Sequence, residues 1–427
     1  PGKVKKVNAN NVFGTTEIVL SNGAKVIFKQ TDFKEDEVSL SAFSKGGLSI
    51  ADNKTLPSAS YATQIVTNAG IGEFSKNDLD KMLAGKIVSV RPVIGEDFEG
   101  ISASASPKDF ETMLQMVYLY FTSPREDLES FTTYMNRIKA FMANASADPR
   151  MAFNDSITIA MANRNPRVLP QNMEYLEKVD FKMAMDFYRN RFADASDFTF
   201  IFTGNVKAED AKALVEKYIG GLPTVNRKDA AKDNGVRPPK GKVKNFFNKP
   251  LQTPKSSIYI ALTGDAEYNL ENMVLVSYMN SILQNRYLEE VREKEGGTYG
   301  VRVGMSIANF PNNNYVLRIM FDTDPNMRDK LMGIIYSEIE KIKTNGPLED
   351  DLNKAKEFMI KQYDQNLREN RYWTGVIREK YESGIDKHTT YMDVVKAVNA
   401  QKVKDFANKM FGQGNAIEVV MSPEDKR

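Results

Sequence analysis

The sequence predicts an α+β chain built as two related domains, each an antiparallel sheet with helices packed on one face. Three observations carry that reading. A helix–break–helix block occurs twice, roughly half a chain length apart. Strands alternate with amphipathic helices in both halves, and a polar stretch separates the two blocks. The repeated block reads "PKDFETMLQMVYLYFTSPREDLESFTTYMNRIKAFM" at residues 107–142 and "PNMRDKLMGIIYSEIEKIKTNGPLEDDLNKAKEFM" at 325–359. Both open on Pro, run through one helix, break, and end a second helix in Phe-Met; such self-similarity marks a duplicated unit.

The elements follow in order. "TTEIVLSNGAKVIFKQ" is two short alternating strands around Asn22-Gly23, a strong hairpin signal. "EVSLSAFSKGG" is a third strand, and "SSIYIALTG" takes that part in the second half. "ENMVLVSYMNSILQNRYLEEVREKEGG" places Val274, Tyr278, Ile282, Leu283, Tyr287 and Val291 on one helical stripe. "YGVRVGMSIA" and "NNYVLRIMFDTD" alternate as strands again, the first beginning at Tyr299. Each half closes on a strand with a polar corner, "FTFIFTGNVKAED" and "AIEVVMSPED". Residues 222–250, rich in Lys, Asn, Pro and Gly, read as a connecting stretch. The expected division is a first domain over 1–229, a linker over 230–250 and a second domain over 251–427.

Composition narrows the function. With 427 residues the chain is too long for one ordinary core. Its 58 basic and 56 acidic residues leave a formal charge of +2, so no strong field recruits nucleic acid or a membrane surface. No apolar run approaches the ~20 residues of a membrane span. The chain has no Cys, which excludes disulfides, thiolate metal sites and cysteine nucleophiles, and leaves cytoplasm and periplasm both open. It has one His, His388, in a polar loop, where a solvated surface role is expected. A catalytic zinc takes two or three His with a carboxylate and a Ser-His-Asp triad needs a placed His, so imidazole chemistry is not expected here. The opening "PGKVKKVNANN" has neither an initiator Met nor a signal-peptide core, which fits a processed product or a piece of a longer chain.

Most motifs have structural readings. "NAGIGEFSK" lacks the spacing and the Lys-Ser/Thr of a phosphate loop. Asp322 and Asp324 of "FDTDP" are read as a cap for the following helix rather than a cation site. Trp373, the single Trp, is read as packing. The stretch "VREKEGGTYGVRVG", residues 291–304, is of another kind. Gly296-Gly297 lets the backbone turn sharply or approach another segment. Arg292 and Tyr299, seven residues apart across that break, both donate hydrogen bonds. They suit the carbonyl oxygens of an extended peptide; alternatively, Arg292 pairs with a neighbouring Glu and Tyr299 packs inward.

Taken with the repeat, these residues resemble the M16 family of zinc metallopeptidases, which includes insulysin, pitrilysin and the mitochondrial processing peptidase. The resemblance covers nearly the whole chain. It implies one half of a clamshell in which a catalytic half binds zinc through His-x-x-Glu-His and a downstream Glu. The other half supplies an Arg and a Tyr, matched here by Arg292 and Tyr299, to grip the substrate. Aligned on Gly70, Tyr61 takes the place of the first His, Gln64 that of the Glu and Ile65 that of the second His, and residues 130–147 hold no carboxylate. "IFTGNVKAEDAKALVEKYIGGLP" also resembles the family's domain-ending signature.

The resemblance therefore implies the non-catalytic C-terminal half, with no catalytic residue and no cofactor of its own and with zinc on the partner half. That partner would be the same polypeptide or a separate subunit. The implied whole is a zinc metalloendopeptidase acting on extended peptides, with this chain inactive alone and adding a strand edge to the substrate. The surface facing that partner is expected to be sizeable and partly apolar, and whether an isolated half covers it by forming a homodimer is left open by the sequence. The rival is a structural subunit that keeps the fold without a proteolytic role.

Overall fold

The computed structural model describes residues 2–10 and 12–425. It divides into two compact units. Unit 1 comprises Pro1–Phe141, Met173–Lys232 and Gln365–Asp386; unit 2 comprises Met142–Asn172, Asp233–Asp364 and Lys387–Arg427. Each unit is thus assembled from segments of both sequence halves.

In unit 1 the strands are β1 (Val4–Asn10), β2 (Thr15–Leu20), β3 (Lys25–Gln30), β4 (Val38–Lys45), a small ribbon of β5 (Gly70–Ile71) and β6 (Phe74–Ser75), β7 (Val88–Ile94), β8 (Phe98–Ala105) and β9 (Thr199–Gly204). Seven of them form one sheet, in the order β1-β2-β3-β9-β4-β8-β7. Unit 2 holds β10 (Lys242–Lys249), β11 (Ser256–Asp265), β12 (Arg302–Ala308), β13 (Asn314–Thr323) and β14 (Asn415–Pro423), ordered β10-β14-β11-β13-β12. Both sheets are antiparallel except for one parallel pair each, β3 with β9 and β10 with β14. The hairpin at Asn22-Gly23 forms with Val19 opposite Lys25, and Gly23 at φ 89° makes the turn.

The helices of the first half are α1 (Leu56–Ala69), α2 (Lys76–Met82), α3 (Phe110–Thr122), α4 (Leu128–Ala145), α5 (Pro149–Met161), α6 (Met173–Glu177), α7 (Phe181–Arg191) and α8 (Ala208–Tyr218). Those of the second are α9 (Leu270–Tyr287), α10 (Arg328–Asn345), α11 (Glu349–Asn366), α12 (Asn370–Ser383), α13 (Tyr391–Ala397) and α14 (Ala400–Phe411). The repeated block is visible as a short 3-10 turn leading into α3 and then α4, and as another leading into α10 and then α11. Asp324 accepts from the Asn326 N–H and caps the second of these turns.

Most helices stack on one face of each sheet, as the sequence predicts. In unit 2 the apolar stripe of α9 is buried throughout, in a core shared with α10 and α14. The opposite face of each sheet carries one further helix. In unit 2, Phe153 of α5 packs on Tyr259, Ala261, Ile417, Val419 and Met421. In unit 1, Ile377 of α12 packs on Ile27, Phe43 and Ile201. The central strands require this: every residue of β9 is buried, as are eight consecutive residues of β11, so neither can leave a face in water. The stretch 230–250 is not all connection, because Val243, Asn245 and Phe247 alternate inward along β10.

Candidate functional site

The motif positions of α1 lie in unit 1. The helix starts with Pro57 in its first turn and ends at Gly70, whose φ of 107° excludes a side chain at little cost to Gly alone. Ile65 is buried at 1% exposure, Tyr61 is half-buried, and Gln64 is exposed. The Tyr61 ring lies 6.4 Å from that of Tyr175, whose hydroxyl donates to Ser60 Oγ at 2.9 Å. Burial, reinforced by the hydroxyls of Tyr134 and Tyr175, pushes the Tyr61 phenol up to about 12. The three positions are therefore packing, a neutral phenol and a surface amide.

The Arg292–Tyr299 stretch lies in unit 2. After Tyr287 the helix widens into a π-helical turn, Leu288–Glu293, closed by the Lys294 N–H to the Glu289 carbonyl at 3.1 Å. The widened turn is pinned from below. Arg286 Nε donates to buried Asp351 at 2.5 Å, its Nη2 to Glu289 at 2.7 Å, and Asn285 also donates to Asp351. Charge-assisted bonds to a carboxylate that is 1% exposed hold this end of α9 against α11.

The two glycines divide the work expected of them. Gly296 adopts φ 65°, and a Cβ on Gly297 would come within 2.6 Å of Met327. Thr323 Oγ1 donates to the Gly297 carbonyl at 2.7 Å and fixes the exit of the turn to the end of β13. The strand does not begin at Tyr299 as the alternation predicts; β12 starts at Arg302. Thr298 Oγ1 bonds the Gly300 carbonyl at 3.2 Å and accepts from its N–H at 3.3 Å, a local closure that competes with the sheet ladder.

That turn leaves its two polar side chains outward. Tyr299 is 100% exposed. Arg292 is exposed and, among the described residues, its guanidinium has neither an ion pair nor a hydrogen-bond partner. The inward alternative, an Arg292–Glu pair with Tyr299 packed, is not what the chain adopts. Tyr299 lies at a cleft of about 320 Å³ whose wall on the far side is the start of α5, with Arg150, Phe153 and Asn154. Arg302, Met320 and Asp322 line it from the sheet, while Arg292 is not part of its lining.

The edge of β12 is partly closed. Asn280 on α9 accepts from the Met305 N–H at 2.6 Å and donates to the Met305 carbonyl at 3.0 Å. Gln284 donates to the Val301 carbonyl at 3.2 Å. Residues pointing away from β13 alternate along the strand, so the groups an added peptide strand would use are engaged at two of their positions. Sequence periodicity does not reveal this: Asn280 reads as one more polar residue of a helix.

Residues 178–359 match the family model of the peptidase M16 inactive domain. The chain is 26% identical over 389 residues to a zinc protease PQQL-like protein of Arabidopsis thaliana, covering 87% of this chain and 38% of that one. Somewhat under half of the chain thus matches the inactive-domain model of the M16 peptidases, and its curated relatives are zinc proteases of the PqqL kind. Among solved structures, the periplasmic protease PqqL from Escherichia coli superposes with TM-score 0.85 at 18% identity, over 99% of this chain and 47% of that one. A peptidase M16 inactive domain from Pseudomonas fluorescens superposes with TM-score 0.79 at 17% identity, over 99% of both chains. The chain therefore spans less than half the length of its relative from Arabidopsis, and M16 structures of the same fold occur both as long two-half chains and as single halves.

Zinc is the metal of these proteases, and the donors at the M16 motif positions do not fit it. Ile65 has no donor atom, and Tyr61 would have to lose a proton held up to about 12. Among the described residues no three His, Asp or Glu side chains converge on a common point. His388 stacks on Tyr363 at 6.2 Å, and Trp373 donates its indole N–H to the Leu367 carbonyl at 3.0 Å beneath Lys29. Among the described residues no helix is long and apolar enough to cross a membrane.

Proposed function

We propose that this chain is the non-catalytic, peptide-gripping half of an M16 zinc protease whose other half carries His-x-x-Glu-His. The observation that carries this reading is the outward presentation of Arg292 and Tyr299 on a turn fixed from within. Gly296, Gly297, Thr323 and the Arg286–Asp351 pair already set the backbone under the exposed phenol and the unpaired guanidinium, so only their side-chain rotamers remain to be ordered. Preorganised donors of this kind bind the carbonyl oxygens of an extended peptide without paying to order a loop. Arg292 supplies a charge-assisted bond and Tyr299 a neutral one, each in reach of a backbone carbonyl rather than of a proton in flight. Neither transfers a proton. The reaction itself belongs to the partner half, which supplies the zinc and its activated water.

The closure of the β12 edge by Asn280 and Gln284 shapes the role. The peptide is held by side chains of the turn and by the cleft beside it, not by continuous strand addition along β12. The test is hydrolysis of a quenched fluorogenic peptide with zinc present, by this chain alone and after adding the half that bears His-x-x-Glu-His. Silence alone and turnover on mixing are expected. Turnover by this chain alone would overturn the reading of Tyr61, Gln64 and Ile65, and no gain on mixing would point to a structural subunit.

A further inference from the structure

The cleft beside Tyr299 has an uneven charge. Its apolar part is formed by Phe153 of α5 and Met320 of the sheet, which pack on the same face. The charged groups of its lining other than Arg302 already have partners. Asp148 takes the Arg150 guanidinium through contacts of 2.8 to 3.3 Å, and Asp322 takes Lys255 at 2.9 Å. Arg302 is exposed and, among the described residues, has no ion pair and no hydrogen-bond partner. It opens β12, directly opposite Met320 in the ladder, so its side chain stands on the sheet face that α5 partly covers. Two pairs further along, Arg318 lies opposite Gly304 on the same face and is also exposed. The bare glycine leaves room above the strand, since nothing lies within 4 Å of a Cβ built there. The unmatched charge on the rim is therefore positive, and it borders a pocket of about 320 Å³ that opens at Tyr299.

We propose that this cleft is a side-chain subsite that takes an acidic residue of the bound peptide, with Arg302 as its specificity-determining residue. The inference rests on the peptide-gripping reading of Tyr299 and adds the class of side chain selected next to it. The methylenes of a Glu would lie over Phe153 and Met320 while its carboxylate meets the Arg302 guanidinium, an arrangement a planar fork suits better than an ammonium. Arg318 reinforces the local field without touching the same carboxylate.

The experiment is fluorescence anisotropy with this chain and short labelled peptides, alike except for Glu, Gln or Lys at alternate positions. Wild type is expected to bind the Glu peptide roughly tenfold or more tightly than the Gln peptide, as a charge-assisted bond implies. Arg302→Gln should remove that preference and leave the Gln peptide unaffected, and Arg302→Glu should turn the preference toward Lys. A Glu preference that survives in Arg302→Gln would overturn the subsite. Peptides that all bind alike, and that all weaken in Tyr299→Ala, would also overturn it while leaving the gripping role intact. Binding of no peptide at all would instead remove the reading on which both depend.

Discussion

The helix that aligns with the family's metal motif and the turn that carries Arg292 and Tyr299 have opposite relations to their surroundings. Along α1 two of the three aligned positions are taken up by the fold, Ile65 buried and half-buried Tyr61 tilted against Tyr175, while Gln64 stays at the surface. Around residues 288–302 the fold does the reverse. It invests a buried ion pair, a widened helical turn and two glycines in a segment whose most distinctive side chains touch nothing inside the protein. Under the proposed reading, a helix with no chemistry to perform turns such positions into core, because an apolar side chain in a helix interface stabilises more than an idle polar one. The turn proposed to grip a peptide keeps its polar groups out and has its stabilising contacts one layer behind.

The contrast gives graded expectations. The largest concerns the absorbed region. Ile65→Ala should cost about 3 kcal/mol of unfolding free energy, through lost burial and a cavity against neighbouring helices, read by urea denaturation. A value near zero would mean that α1 is not packed as described. Next comes the layer behind the turn: Asp351→Ala strips Arg286 of its buried partner but leaves Glu289, so a loss of about 2–3 kcal/mol is expected. The same variant should weaken peptide binding, since the widened turn loses its anchor. If only stability moves, the anchor and the grip are separate. Gly296→Ala, at φ 65° with open space around it, should cost about 1 kcal/mol from backbone strain alone. The smallest effect is expected at the surface of the turn, where Arg292→Ala and Tyr299→Ala should each change stability by no more than about 0.5 kcal/mol.

Periodicity made much of this architecture legible. The buried face of α9 and of the turn after it is the stripe from Val274 to Val291, and the hairpin forms at Asn22-Gly23. The duplicated block appears as matching 3-10 turns and helix pairs. Alternation also misled. Tyr299, Val301 and Val303 read as one strand, yet the ladder stops at Arg302 because Thr298 closes on Gly300 and Thr323 on Gly297. Which sheet a helix covers is invisible to periodicity: α5 and α12 are amphipathic in the ordinary way, and only tertiary packing sends each to a unit dominated by the other half of the sequence. β10 was hidden for a related reason, since Lys242, Lys244 and Lys249 outweigh the inward Val243 and Phe247 in a composition-based reading. At the site, Arg292 and Tyr299 were visible from the sequence. The cleft, Arg302 and the Asn280 clasp were not, because each depends on a pairing across strands or between a helix and a strand edge.

The measurement that tests the central claim most directly is kcat/KM for a fluorogenic peptide in the reconstituted two-half enzyme, with Arg292→Ala and Tyr299→Phe assayed beside their unfolding free energies. The account predicts a loss of roughly tenfold or more in kcat/KM for each variant, with stability unchanged within about 0.5 kcal/mol. Full activity in both variants, or a loss of activity that merely follows a loss of stability, would contradict it.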